Sequence, residues 1–442
     1  MNLRPRMPCA ALVVWLSLTL AAAAEDWPQW MGPNRDGQWR ETGILETFPD
    51  GRAKILWRTP IAGGYAGPAV AAGKVYVTDY VRSTGEATND PDARAESKGQ
   101  ERVLCLNAAD GKPLWKHEYD CTYKISYPAG PRATPTVAGG KVYTLGAEGK
   151  LLCLSADTGK VVWQKELTKE YQIETPMWGF CAHPLVDGNK LICLVGGAGS
   201  VAVAFDKESG KELWKSLAAP APGYCPPTII EAGGARQLLI WHTKALNSLN
   251  PETGEVYWSE PLEAAYGMPI AAPRQAGDYL FASAIGSVAA LFELDRTKPA
   301  VQEVWLGEPN TAVYCANSTP LIEAGTIYGN DCQVGNLRAV DLKTGKRLWE
   351  TFVPTTGGER RASHGTAFLT KNGDRYFLFS ETGDLIIARL TPQGYDEISR
   401  AHVIEPTGEA FGRQVVWSHP AYAGRCAFVR NDKEIVCVSL AK

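Results

Sequence analysis

Beyond its first two dozen residues the chain of 442 residues has no long apolar run, so nothing there approaches the ~20 residues that a membrane-spanning helix needs. It also lacks an excess of charge of one sign. Its 45 basic residues face 48 acidic ones for a net charge of −3, and no stretch interleaves basic with aromatic side chains. Nucleic acid requires a clustered basic face, so it is not expected as a partner. The eleven cysteines include no C-x-x-C, no C-x-x-C-H and no adjacent pair, which leaves neither zinc nor c-type haem a sequence warrant. No G-x-S-x-G, P-loop, H-E-x-x-H or dinucleotide fingerprint entering a helix is present. Gly196-Gly197-Ala198-Gly199 sits between short strands and reads as a turn.

The N-terminus carries a different signal. Arg4 and Arg6 precede an apolar run from Ala10 to Leu20, and Ala22-Ala23-Ala24 offers small residues before Glu25. This pattern predicts a secretory signal over 1–24 and a periplasmic or secreted mature chain, with an uncleaved anchor as the competing reading. No Cys follows the apolar run, so a lipid anchor is not expected. Export permits disulfides. Yet Cys105, Cys153 and Cys437 occupy equivalent apolar strand positions, and most of the cysteines after Cys9 are expected to be free and buried as small hydrophobes.

The strongest feature is a short phrase ending in Trp. It ends at Trp115 in Leu106-Asn107-Ala108-Ala109-Asp110-Gly111-Lys112-Pro113-Leu114-Trp115 and returns ending at Trp163, Trp214, Trp258 and Trp349. Worn copies end at Trp305 and near Ser399, and Trp57 begins the series. A period of about 45–50 residues built of short strands means a propeller or an array. Length alone allows about three domains, but an unbroken repeat argues for one circular domain.

Residues 133–163 show how one repeat becomes a blade. Four short Val-, Tyr- and Leu-rich segments alternate with turns at Gly139-Gly140, Glu148-Gly149 and Asp157-Thr158-Gly159-Lys160, the pattern of an antiparallel meander. Gly159 supplies the positive φ that a tight hairpin wants. One four-stranded sheet cannot cover both its faces, so neighbouring blades must, and the recurring indole is a large flat body for that contact. The last unit, 416–440, lacks a fourth strand, whereas the segment around Trp57 is a fourth strand lacking a unit. Joining them predicts an all-β, eight-bladed propeller of four-stranded antiparallel blades over 54–442, closed by the N-terminal strand on the C-terminal blade, with seven blades as the alternative. Closure also removes exposed strand edges. Residues 25–53 are expected to form a packing strap over the ring, because Trp27, Trp30 and Trp39 left exposed would be a hazard. Residues 82–100 are polar without apolar periodicity and read as a solvated loop.

The phrase Ala156-Asp157-Thr158-Gly159-Lys160-Val161-Val162-Trp163 resembles the tryptophan-docking repeat of quinoprotein dehydrogenases and their relatives, which are eight-bladed propellers. The resemblance covers roughly 54–440. The opening Asp26-Trp27-Pro28-Gln29-Trp30-Met31-Gly32-Pro33-Asn34-Arg35-Asp36-Gly37 also looks like that of exported quinoprotein-like propellers of environmental bacteria, which often have Arg where this chain has Met31. The resemblance implies one of two functions. Enzymes of the superfamily hold pyrroloquinoline quinone with calcium near the propeller axis, use an Asp base and in several cases stack the quinone on adjacent cysteines. The cofactor-free propeller subunit of the outer-membrane barrel assembly machinery binds protein partners instead. With no adjacent cysteines and without the long insertions of the alcohol-oxidising members, this chain is expected to be a non-catalytic ligand- or protein-binding scaffold. A pyrroloquinoline quinone-dependent oxidoreductase of alcohols or sugars is the alternative.

In a propeller the connections from one blade's outer strand to the next blade's inner strand land by the central funnel. Here they carry Tyr123, Tyr127, Arg132, Trp178, His183, Tyr224, Tyr266, Tyr314, Asn317, Arg361, His364, Trp417 and His419, the candidate ligand-contacting residues. His183, His364 and His419 fall at nearly one level in three blades and form either a metal- or proton-binding ring or a hydrogen-bonded channel plug. Arg132, Arg360 and Arg361 are candidates to clamp an anion. Tyr123, Tyr127, Trp178 and Trp417 are candidates to stack a flat cofactor or a sugar, or to close the funnel.

Overall fold

The computed structural model describes residues 25–86, 89–309, 311–358 and 360–442. The expected signal over 1–24 lies outside the described residues. Among the described residues are eight four-stranded antiparallel sheets, and the eighth pairs Lys54–Pro60 with Glu434–Ser439, then Cys426–Arg430, then Ala421–Ala423. The N-terminal strand thus closes the C-terminal blade. Blades 1 to 7 follow in chain order, spanning 69–125, 136–166, 185–216, 228–261, 274–306, 321–351 and 367–402. The weak seventh unit is a complete blade.

The blades are joined by the recurring indole. The Nε1–H of Trp57 donates to Ala108 O (2.9 Å), that of Trp115 to Ala156 O (3.0 Å), that of Trp163 to Lys207 O (3.0 Å) and that of Trp214 to Pro251 O (3.2 Å). Trp305 and Trp349 reach Leu342 O and Thr391 O in the same way. Each bond crosses from an outer strand to the turn before the next blade's outer strand. Trp258 differs and donates to Gln237 Oε1 of its own blade. The turn glycine is thereby constrained twice. Gly159 has φ +68°, and a Cβ there would lie 2.4 Å from the ring of Trp115; Gly111 stands likewise over Trp57 and Gly254 over Trp214. Ser399 occupies the indole's register position in blade 7, opposite Ile387, and its hydroxyl instead accepts from the Phe48 amide.

The strap does more than cover the ring. Its backbone bridges Val70 of blade 1 from Trp27, and Pro28 O accepts from Val137 N of blade 2. Arg35 bonds His183 O and Pro184 O before blade 3 and Pro227 O before blade 4. Arg274 of blade 5 donates to Arg35 O and Asp36 O. Gly37 lies against Leu321 of blade 6, Trp39 N donates to Lys371 O of blade 7 while Lys371 N donates to Gly37 O, and both Trp27 and Trp39 pack on Tyr422 of blade 8. The segment therefore runs round the inside of the ring and touches, in each blade, the inner strand or the residues just before it. Trp27, Trp30 and Trp39 are all within 3% of fully buried.

Of the polar stretch 82–100, expected as a solvated loop, residues 82–84 and 95–100 belong to the strands of a β-arm. The second strand of blade 1 runs Lys74–Thr84, the third Ala95–Asn107 and the fourth Pro113–Ile125, far longer than the five or six residues usual in the other blades. What orders it is a buried pair of stacked rings, Tyr80 on Tyr123 at 3.9 Å, and Glu101, whose carboxylate accepts from Tyr119 Oη, Tyr123 Oη and Ala147 N. These polar and aromatic residues carry no apolar period because the arm's core is built from hydroxyl–carboxylate bonds. From the arm's tip Arg94 donates to Lys124 O and Thr175 O, and Asn89 to Glu409 O of a small hairpin, Gly408–Ala410 with Arg413–Val415, between blades 7 and 8.

Candidate funnel site

The inner strands begin at the funnel end of the ring, and the residues just before them form its floor. Trp30, delivered by the strap, stacks on His183 at 5.0 Å and donates Nε1–H to His419 Nε2 at 3.3 Å. His183 Nδ1 accepts from the Thr134 amide at 2.8 Å, and the two imidazoles meet edge to face at 6.2 Å. Burial drives both toward the neutral form: the His183 imidazole lies well below its usual range, and that of His419 is lowered to about 3. Asn317 donates its side-chain amide to Thr366 Oγ1, and its backbone hydrogen-bonds the His419 ring. Arg35 completes the floor. Its guanidinium lies 5.6 Å from the Trp30 ring centre and has no carboxylate partner among the described residues; burial lowers its pKa to about 9.

Above this floor sits an aromatic layer. Tyr65, Tyr127, Trp178 and Trp417 pack together with Ala410 and Val415 of the small hairpin, and Trp178 meets Tyr224 at 5.8 Å. Trp417 donates to Glu381 Oε2 at 2.9 Å, and the same carboxylate takes Arg413 and the Thr366 amide. Arg132 spends its guanidinium on the carbonyls of Gly130, Ser126 and Tyr127 and lies over Tyr65. His364 stacks on Phe411 at 5.2 Å and lies 6.2 Å from Trp417; burial lowers it to about 4.

The structure thus brings together His183, His419 and Asn317 in the floor, and Tyr127, Arg132, Trp178, Tyr224, His364 and Trp417 above it. His364 stands apart from the other two histidines, so the three rings do not converge on one point. Tyr123 lies in the interior of the arm. Tyr314 is fully buried between blades 5 and 6 and donates to Glu308 O. Arg361 is exposed, and Tyr266 projects from the turn between blades 4 and 5 with 80% of its surface exposed. Trp30, Arg35, Tyr65, Glu381, Phe411 and Arg413 were not legible as site residues. The only cue in the sequence was a bulky residue directly before Gly in Phe411-Gly412, a pair that a tight turn normally gives to Asn-Gly.

Pyrroloquinoline quinone and calcium do not fit this arrangement. The cavities against His419 and against Trp417 hold about 10 Å³ each, room for one water rather than the roughly 300 Å³ or more of a small-molecule site. Calcium needs six to eight oxygens, but the Glu381 carboxylate is already taken up by Arg413, Trp417 and Thr366. Among the described residues no group of three or more His, Cys, Asp or Glu is placed to hold a metal ion. A groove of about 470 Å³ lies outside the funnel, between the strap at 38–44 and residues 371–375. Its cations are already engaged, Arg40 by Asp36, Lys371 by Glu323, Lys442 by Glu46 and Arg375 by Leu45 O.

Comparison with known proteins places the ring. BamB from Moraxella catarrhalis superposes with a TM-score of 0.55 at 17% identity, over 86% of this chain and 97% of its own. The quinohemoprotein alcohol dehydrogenase from Comamonas testosteroni gives a TM-score of 0.60 at 13% identity, over 94% of this chain and 81% of its own. A europium-containing methanol dehydrogenase gives 0.59 at 12%, over 94% and 89%. At such identities the likeness concerns the fold. A search of curated proteins returns no match. The family model described as outer membrane protein assembly factor BamB matches residues 99–351, more than half of the sequence, and the chain belongs to that family.

Proposed function

We propose that this protein is an exported, non-catalytic scaffold that binds a protein partner at the rim of its funnel. The observation that carries the reading is the backbone at two rim turns. Tyr266-Gly267 has φ values of +58° and +64°, and Phe411-Gly412 has +50° and +71°. Asn relieves such a left-handed position at no cost to the turn, while a bulky ring there is strained. Yet these two positions hold rings that are 80% and 47% exposed. Strain kept at exposed aromatic residues points to a contact made outside the chain. Beneath the rim, Glu381, Arg132 and His183 already have partners within the protein, and the strap fills the axis. The family's description as an assembly factor favours a protein as the bound partner.

A photo-crosslinking residue at 266 or 411, introduced in the native host, tests this reading, with the same residue at the perimeter position Val162 as control. Adducts from the rim positions and not from 162 are expected. Tyr266→Asn in the 411 probe, and Phe411→Asn in the 266 probe, should each weaken the adduct, Tyr266→Asn while leaving the fold as stable or slightly more so. Equal labelling from all three positions would remove the scaffold reading. The alternative oxidoreductase is tested directly by adding pyrroloquinoline quinone and calcium to the purified protein. Stoichiometric quinone absorbance with dye reduction by an alcohol or sugar would establish the enzyme instead.

A further inference from the structure

The ten described cysteines are all free thiols, and two of them stand together for a reason visible in the repeat. Cys105, Cys153 and Cys437 occupy one repeated position: on the third strand of their sheets, each opposite an indole, at Trp115, Trp163 and Trp57. On the other side each faces an aromatic residue, Tyr76, Tyr143 or Phe428. Two residues before that aromatic, blades 1 and 2 carry Lys74 and Lys141, whose ammonium groups reach out to Asp157 and Glu208 of the next blade. At the same position the closing blade carries Cys426.

The register decides what this replacement does. Cys426 is opposite Ser439 and Phe428 is opposite Cys437. Side chains two apart on one strand share a face, so Cys426 and Cys437 are diagonal neighbours on one face of the sheet. Both belong to the same apolar cluster, Cys437 within it and Cys426 packed against it. Cys437 is fully buried, while Cys426, at the strand's start beside Arg425, is partly open to solvent.

We propose that Cys426 and Cys437 are a redox pair that closes to a disulfide across the two middle strands of the closing blade, with a small-molecule disulfide as oxidant. Cys426 is the attacking sulfur. It is the solvent-accessible thiol of the two, and the neighbouring Cys437 holds it below the usual range against burial and the Glu41 carboxylate, whereas Cys437 is raised by its contact with Cys426 and by burial. The Cys426 thiolate attacks one sulfur of the small disulfide, forming a mixed disulfide and releasing one thiolate. Cys437 then loses its proton and attacks Cys426 Sγ. The protein disulfide forms, and the second half of the oxidant leaves as a thiolate that takes up a proton. Two protein thiols are oxidised and one small disulfide is reduced to two thiols. Blades 1 and 2 cannot do this, because lysine stands where the partner thiol would be.

The test uses the full folded chain and oxidised glutathione. After incubation, free thiols are alkylated and the protein is cut with trypsin, which separates the two cysteines into peptides 426–430 and 434–442. The expected result is one joined peptide pair that dithiothreitol resolves, with two fewer titratable thiols and with Cys105 and Cys153 alkylated only after unfolding. In Cys437→Ala the oxidant should stop at a glutathione adduct on Cys426, and in Cys426→Ser nothing should form at Cys437. Recovery of the wild-type peptides unjoined, whether alkylated or carrying glutathione, would overturn the proposal without needing either variant to fold.

Discussion

Replacing Trp30 by alanine tests the idea that the axis of the ring is closed from within by its own N-terminal segment. The indole is 3% exposed and lies against His183, His419 and the Arg35 guanidinium. Truncating a buried Trp to Ala costs about 3–5 kcal/mol through lost transfer energy and the cavity left behind. Losing the donor to His419 Nε2 belongs within that range, because water entering the cavity replaces about 1 kcal/mol of hydrogen bonding. The strap has its own backbone reporters: Trp39 N donates to Lys371 O, and Lys371 N to Gly37 O. If the strap opens as a local unit, their amide exchange should quicken by about 100- to several-thousand-fold, since each 1.4 kcal/mol is tenfold. Amides inside the blades, such as those of Leu151–Leu154, should change far less. Added indole should occupy the cavity and slow the exchange again. A change under about fivefold at Trp39 and Lys371 would mean that the strap is held by its ends, and the plug argument would be wrong.

Two further outcomes follow from the same geometry. Acid should destabilise the fold in a window set by its neutral histidines. His183, His364 and His419 have folded-state pKa values below 6.5, at about 4 for His364 and about 3 for His419. From pH 6.5 downward the unfolded chain therefore binds protons that the folded chain refuses. Stability should fall by about 1.4 kcal/mol per pH unit for each histidine, and His364→Gln should flatten the slope by one histidine's share; a denaturant midpoint that stays level between pH 6.5 and 5 would contradict the burial argument. Gly159→Val should cost about 2–5 kcal/mol by combining a left-handed φ with overlap on Trp115. Gly140→Ala, with an equally positive φ and nothing within 4 Å, should cost only about 1–2 kcal/mol by chemical denaturation.

The sequence by itself determined the ring: eight sheets, an indole at most of the blade boundaries, and the pairing of the segment around Trp57 with the C-terminal strands. These follow from periodic local signals, because each turn glycine, each strand pattern and each Trp recurs at a fixed place within its own unit. Only the tertiary structure decided what the middle contains. Trp30 and His419 are separated by almost the whole chain, and Arg35 is held by carbonyls from blades 3 and 4; no spacing along the sequence encodes such a meeting. The same holds for Tyr123 and Tyr314, which the connections placed near the funnel but whose hydroxyls found partners inside the protein. Arg132 is a cation in a funnel connection by sequence, and a strut between three carbonyls by structure. A closed ring brings the starts of eight inner strands to one axis, so the chemistry there depends on which side chains satisfy one another first. That outcome is set by three-dimensional contacts between distant residues and not by local pattern.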